Sequence, residues 1–265
     1  MPKTISFIGT GKMATALISS IYKKDFAKSI IASDRNGKSL NYARSKFKIK
    51  TTKDNREAAR NSDVIFLCVK PQDIDAVLHE IKNEIKNQLV VSIAAGIRIG
   101  HIESILGKKK IIRVMPNINC LVGEMAAGFA AGKYTKKEDI KFVEKILGAS
   151  GLVVFVKENQ LDALSTINGC GPAFFAYFIK HMAEAAAKNG LPKETALKLA
   201  AKTLQGTGKL LLEKNLQPDD LIKMVASKKG VTLAGLKVLE NNKVNNILEK
   251  MIDAAYKRSK ELGKD

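Results

Sequence analysis

The run Phe7-Ile8-Gly9-Thr10-Gly11-Lys12-Met13-Ala14 joins an apolar stretch, residues 4–8, to an amphipathic one, residues 12–24. Its chemistry is phosphate binding. Gly9 permits a tight turn, Gly11 lets a pyrophosphate approach the backbone, and Ala14, in the third glycine's place, keeps helix and strand close. Free N–H groups at the start of the helix then favour the anion. With a strand before it and a helix after it, the motif predicts a dinucleotide site built on Ile8, Gly9, Thr10, Gly11, Lys12 and Met13.

Ser33-Asp34-Arg35, at the end of the second apolar run, bears on which dinucleotide is bound. Asp34 suits the 2′-hydroxyl of NAD, whereas Arg35 with Lys38 suits the 2′-phosphate of NADP. The two residues point to different cofactors. Arg35, Lys38 and a net charge of +19 favour NADPH, with NADH still open. Asp34 also reads as a helix cap or Asx turn before Asn36-Gly37.

Three more loops close apolar runs: Val69-Lys70-Pro71-Gln72, Ser92-Ile93-Ala94-Ala95-Gly96 and Arg113-Val114-Met115-Pro116-Asn117. The small Ala94, Ala95 and Gly96 leave room for a flat ring, and Pro71 and Pro116 stiffen the turns. Ligands of open α/β sheets sit beyond the carboxyl ends of the strands, so these loops suggest one shaped groove. The three histidines offer little: His79 and His101 fall on helices of the first half, and His181 on a helix rich in small residues. Cys68, Cys120 and Cys170 are widely spaced without a CxxC pair. They read as buried free thiols, and no metal site is expected.

These loops need a sheet beneath them. Residues 4–8, 29–33, 64–69, 89–94 and 111–115 are short and rich in Ile and Val, the pattern of strands buried on both faces. Helical patterns at 12–24, 38–47, 72–85 and 99–106 alternate with them. Strands at 128–131 and 152–156 flank a helix at 136–147. After Glu158 strand runs stop. Residues 161–167, 173–189, 193–213, 219–224, 232–240 and 244–262 all read as helices, with Gly190-Leu191-Pro192 as a stop and restart signal. The fold class is therefore α/β: a Rossmann-like, mostly parallel sheet domain over residues 1–158, followed by an all-helical domain over 159–265. The small residues of Ala183-Glu184-Ala185-Ala186-Ala187 suit a helical interface.

Composition narrows the classes. Of the 265 residues 45% are apolar and 27% charged, which excludes a disordered or collagen-like chain. No apolar run approaches the length of a membrane span. Met1-Pro2-Lys3 leads into an apolar run too short for a signal-peptide core, so a cytoplasmic protein is expected. The excess of 45 Lys+Arg over 26 Asp+Glu is dispersed, Lys108-Lys109-Lys110 being the densest run, and 6% aromatics with no Trp supply few stacking platforms. The charge reads as a solvated surface that attracts anions, with neither nucleic acid nor membrane as partner.

Residues 7–14, 69–72, 92–96, 113–124 and 162–172 continuing to 190–192, and more loosely 225–235, resemble in order the motifs of the pyrroline-5-carboxylate reductase family. The likeness spans nearly the whole chain. It implies a Rossmann-like domain and a helical domain that interlocks with a second subunit, giving a homodimer or a higher oligomer of dimers. It also implies hydride transfer from NADPH or NADH to the C=N carbon of 1-pyrroline-5-carboxylate. The product is L-proline, in the last step of proline synthesis. Carried onto this chain, the family's adenosine-side asparagine falls on Asn55. The nicotinamide-side loops fall on Val69-Lys70-Pro71, with Cys68 before them, and on Ala94-Ala95. The active-site threonine, near the imine nitrogen, falls on Thr232, and the carboxylate loop on Ser227, Gly230 and Val231. A hydroxyl suffices there, because a protonated cyclic imine accepts hydride without a strong acid.

The chain departs from the family around the substrate. Ser-Pro-Gly-Gly-Thr-Thr becomes Ser227-Lys228-Lys229-Gly230-Val231-Thr232, Ser-Gly-Ser-Gly-Pro becomes Asn168-Gly169-Cys170-Gly171-Pro172, and Thr-Pro-Ala becomes Ile118-Asn119-Cys120. Loss of Pro and Gly changes the stiffness and allowed angles of the first loop. Two alternatives therefore stand beside the main reading. One is an NAD(P)H-dependent reductase of a different cyclic imine. The other is a β-hydroxyacid-dehydrogenase-like enzyme, for which Lys180 lies beyond the expected pocket. A nucleic-acid-binding or regulatory protein that senses NAD(P) is the reading from another class, and salt-dependent DNA retention separates it.

Overall fold

The computed structural model describes residues 3–262. Met1 and Pro2, which open the sequence, and residues 263–265, which the expected helical domain includes, lie outside the described residues. Eight strands form one sheet: β1 (Lys3–Ile8), β2 (Ala27–Ser33), β3 (Lys50–Thr52), β4 (Val64–Leu67), β5 (Leu89–Ser92), β6 (Lys110–Met115), β7 (Met125–Ala131) and β8 (Gly151–Phe155). Their order is β3-β2-β1-β4-β5-β6-β7-β8. The first six run parallel, β7 runs antiparallel to β6, and β8 runs parallel to β7. Crossovers are made by α1 (Lys12–Lys23), α2 (Gly37–Phe47), α3 (Asn55–Arg60), α4 (Ile74–Ile81) and α5 (Ile99–Leu106), and α6 (Lys137–Gly148) joins β7 to β8.

Alternation along the strands explains the continuous apolar runs. Ile5, Phe7, Val64 and Phe66 join the core on one face of the sheet, while Ile8, Ile65 and Leu67 join that on the other. The rings of Phe7 and Phe66 stack at 4.8 Å. Ala14 is buried where α1 crosses this face, as expected of the third small residue of the loop.

One strand and one α-helix lie outside those that the apolar pattern predicts. β3 is three residues of an edge strand, Lys-Thr-Thr, without the apolar run that marks its neighbours. α3 is six residues long, and its signal was the Asp54 cap, whose side chain accepts from Arg56 N at 2.8 Å. The helix expected over 72–85 is α4 flanked by single 3₁₀ turns at Pro71–Asp73 and Lys82–Glu84.

The chain divides into two compact units. Among the described residues the first covers 3–169 and 256–262; the second is Cys170–Ala255. Residues 159–168, which sequence alone groups with the helical part, therefore lie in the first unit. The reason is packing by α7 (Leu161–Asn168). Leu161 joins the core, Asp162 lies 3.6 Å from buried Arg113, and Asn168 Nδ2 donates to the carbonyls of Met115 and Ala126. In the second unit α8 (Gly171–Lys188) packs on α9 (Lys193–Glu213), followed by α10 (Pro218–Val225), α11 (Val231–Asn241) and the first part of α12 (Val244–Leu262).

Candidate functional site

Strand order reverses between β1 and β4, since β1 is followed outward by β2 on one side and β4 by β5 on the other. Such a switch point opens a crevice at the carboxyl ends of the strands. A groove of about 400 Å³ lies there. Gly9 turns the chain at φ +93°, and its N–H donates to Ser33 O at 2.8 Å. A Cβ on Gly9 would stand 2.7 Å from Cys68 O, so only glycine fits. Gly11 is the N-cap of α1; no side chain caps this helix and its first turn holds no acid. Nothing lies within 4 Å of where a Cβ on Gly11 would be. An open glycine at an uncapped helix start suits a pyrophosphate.

Asp34, just past β2, is tied into the loop. Its Oδ2 accepts from both the N–H and the hydroxyl of Thr10, each at 2.7 Å, and its Oδ1 accepts from Asn36 N at 2.8 Å. Burial pushes its pKa up, but these hydrogen bonds and the charge of Arg35 outweigh it, and the net shift is downward. Arg35 Nη2 donates to Asp73 Oδ1 at 3.2 Å. Asn55 accepts from Ser33 Oγ at 2.7 Å and donates to Glu80 at 2.8 Å. On the β4 side the wall is Cys68, Val69 and Lys70, and burial raises the pKa of the Cys68 thiol.

Of the residues expected at the dinucleotide, the groove brings together Ile8, Gly9, Gly11, Asp34, Arg35, Asn55, Cys68, Val69 and Lys70. Thr10 is buried behind Asp34, Met13 packs against the core and Ala94 is buried in it. Lys12, Pro71 and Ala95 are exposed and outside the groove lining. Sequence reasoning missed Asp73, Ala76, Val77 and Glu80, which wall the groove from α4 and the turn before it. Their spacing of three to four residues is a helical face and was the available signal. The expectation of buried thiols holds for Cys120; Cys68 and Cys170 are half-buried, and all three are free. No histidine lines the groove, and His101 and His181 face Asp75 and Glu184. Among the described residues no group of three or more His, Cys, Asp or Glu side chains can hold a metal ion.

In the second unit, Ser227–Thr232 of the sequence form a turn into α11. Gly230 is the N-cap of α11, its N–H donates to Ser227 O at 3.0 Å, and no side chain caps the helix. A Cβ on Gly230 would collide with Ser227 Oγ. Thr232 is half-buried in the first turn of α11, while Val231 is 92% exposed. Lys229, where the family has glycine, sits in the left-handed region at φ +61°.

The family model described as pyrroline-5-carboxylate reductase dimerisation matches residues 158–262, and that described as NADP oxidoreductase coenzyme F420-dependent matches residues 4–96. Over 264 residues, 98% of each chain, the sequence is 39% identical to the pyrroline-5-carboxylate reductase of Methanosarcina acetivorans. The chain belongs to the pyrroline-5-carboxylate reductase family. The solved structure of the Coxiella burnetii reductase matches with a TM-score of 0.96 at 34% identity, covering 100% of both chains. The Plasmodium falciparum structure, with NADP bound, matches with a TM-score of 0.86 at 30% identity over 98% of each chain. Residues 158–262 thus correspond to the family's dimerisation domain, which makes the protein a homodimer or an oligomer of dimers. Among the described residues no helix is long and apolar enough to cross a membrane.

Proposed function

We propose that this chain reduces 1-pyrroline-5-carboxylate to L-proline, the last step of proline synthesis, with NADPH as hydride donor and NADH as a second one. The observation that carries this reading is kinship over 98% of the chain with a reductase of that name. In this reading residues 1–158 bind the dinucleotide, and residues 159–265 build the dimer and supply the substrate loop. NADPH supplies the hydride when bound. Gly9, Gly11 and the N–H groups opening α1 receive the pyrophosphate, with Ile8, Thr10, Lys12 and Met13 shaping that turn. Arg35 receives the 2′-phosphate; Asp34 is already engaged by Thr10 and Asn36, which supports NADPH. Asn55 borders the adenosine. Cys68, Val69, Lys70, Pro71, Ala94 and Ala95 border the nicotinamide.

Thr232 is the catalytic residue: its hydroxyl holds the imine nitrogen in orientation while hydride reaches the neighbouring carbon, and water completes the proton balance. The N–H groups of Ser227 and Val231 hold the carboxylate at the uncapped start of α11, where an anion is favoured, and Gly230, whose own N–H is taken by Ser227 O, shapes the turn. Three free thiols suit a reducing compartment, and the reaction is assigned to the cytoplasm.

The test is the loss of NADPH or NADH absorbance on adding pyrroline-5-carboxylate to pure protein, with proline measured as product. Oxidation matched by proline is expected. Binding of either dinucleotide without oxidation would overturn the substrate assignment. It would favour a different cyclic imine, in line with the Lys228-Lys229 departure. Thr232→Ala should lower kcat about a hundredfold and leave dinucleotide affinity within about twofold. Equal losses in both would remove Thr232 from its role.

A further inference from the structure

The groove has a charge pattern unlike that of the protein around it. The chain carries +19 overall, yet the charged groups lining the groove are Asp34, Asp73 and Glu80 against Arg35 and Lys70. Two of the three carboxylates have internal work. Asp34 is bonded by Thr10 and Asn36, and Glu80 by Asn55. Asp73 stands differently. It precedes α4 at the N-cap position but accepts no capping hydrogen bond from that helix. Its side-chain partner is Arg35, at 3.2 Å, with about a third of the Asp73 side chain and most of the Arg35 side chain exposed.

From this we infer that Asp73 determines cofactor specificity: its carboxylate competes for Arg35 with a 2′-phosphate and keeps NADH usable beside NADPH. The inference rests on the reading of the groove as a dinucleotide site. Arg35 follows β2, where the ribose 2′ group of a dinucleotide falls. A guanidinium fork matches phosphate oxygens. Asp73 occupies one of its nitrogens and adds a like charge beside the phosphate. An exposed pair of this kind is weak, so phosphate can displace it. The displaced carboxylate then remains in the groove beside a second anion. A neutral 2′-hydroxyl meets no such repulsion. Asp73 therefore discriminates by the charge of the ligand, not by its shape.

Asp73→Asn preserves shape and removes the charge. Wild type and variant are titrated with NADPH and NADH in the absence of imine, read by nicotinamide fluorescence, and with 2′,5′-ADP and 5′-AMP by calorimetry. In the variant NADPH and 2′,5′-ADP should bind roughly three- to tenfold tighter, with the gain shrinking as salt is added, while NADH and 5′-AMP move by less than about twofold. Asp73→Ala, which offers no new donor, must change binding in the same direction, and it also serves if the Asn variant lacks a cooperative thermal transition. Unchanged or weaker NADPH binding overturns the inference. Equal tightening of all four ligands also overturns it, because that reports groove shape and not 2′ charge. A wild-type chain that binds neither dinucleotide fails differently: it removes the dinucleotide reading itself, and this inference with it.

Discussion

In the first unit Phe7, Phe66 and Phe129 are fully buried in the core, whereas in Cys170–Ala255 the buried residues are Gly171, Ala183 and Ala196. Alanine contacts let α8 and α9 approach closely but remove little apolar area from water. Tyr177, Met182, Leu204, Leu239 and Ile247 are left exposed, and Leu212 is 72% exposed. Monomeric proteins seldom leave so much large apolar surface open. The dimerisation-domain match covers the same helices. The sheet unit thus closes a core from its own sequence, while the helical unit, which matches the dimerisation domain, leaves apolar side chains for a second copy to cover. For the helices, stability and assembly are one quantity.

Charge on the helical unit should break this contrast most severely. Met182→Asp combined with Leu212→Asp is expected to dissociate the dimer, each change costing association about 2 kcal/mol or more, as read by sedimentation. Tyr22→Asp is the comparison. At 49% exposure on α1, Tyr22 should cost about 1 kcal/mol or less and leave the assembly unchanged. A dimer that survives both aspartates would remove the distinction between the units.

Next comes the glycine turn of the sheet unit. Gly9→Ala combines a φ of +93° with a clash on Cys68 O and should cost about 2–4 kcal/mol in denaturant titration, with dinucleotide binding lost. Gly11→Ala, in extended backbone with open space around it, should fold normally and weaken only the dinucleotide.

Asp34 gives a smaller effect that depends on pH. Its folded pKa lies below the ordinary 3.8, so its contribution is present above that value and is lost as pH falls through the folded pKa. Asp34→Asn should flatten the acid side of a stability profile below about pH 5. A profile as steep as wild type would show that Thr10 and Asn36 do not hold the carboxylate in solution.

The smallest change is expected at Lys229→Gly. Relief of a left-handed lysine, less the added freedom of the unfolded chain, should raise stability by about 0.5–1 kcal/mol in urea midpoint. A fall would mean that the lysine side chain supports the turn.

The sheet was legible because burial on both faces leaves unbroken apolar runs, and the glycine turn because its requirements lie within a few adjacent residues. β3 and α3 escaped because three and six residues cannot display a period. The groove wall from α4 escaped for another reason: Asp73 and Glu80 acquire their partners, Arg35 and Asn55, only when distant segments meet. The orientation of Asp34 was equally hidden, since Thr10, which engages it, lies a full βα unit earlier. Lys229 was visible as a departure from the family, but its left-handed backbone was not.

The reversal at β7 has a consequence of parity. β6 ends at Met115, on the carboxyl edge of the parallel strands. β7 and β8 then both run toward the opposite edge, each followed by a helix that climbs back. The second of these, α7, ends with Asn168 bonded to Met115 O and to Ala126 O, back at the edge where β6 ended. Had β7 and β8 kept the direction of β6, the same count of elements would deliver the chain to the far edge. One antiparallel pairing therefore decides at which rim of the sheet α7 ends.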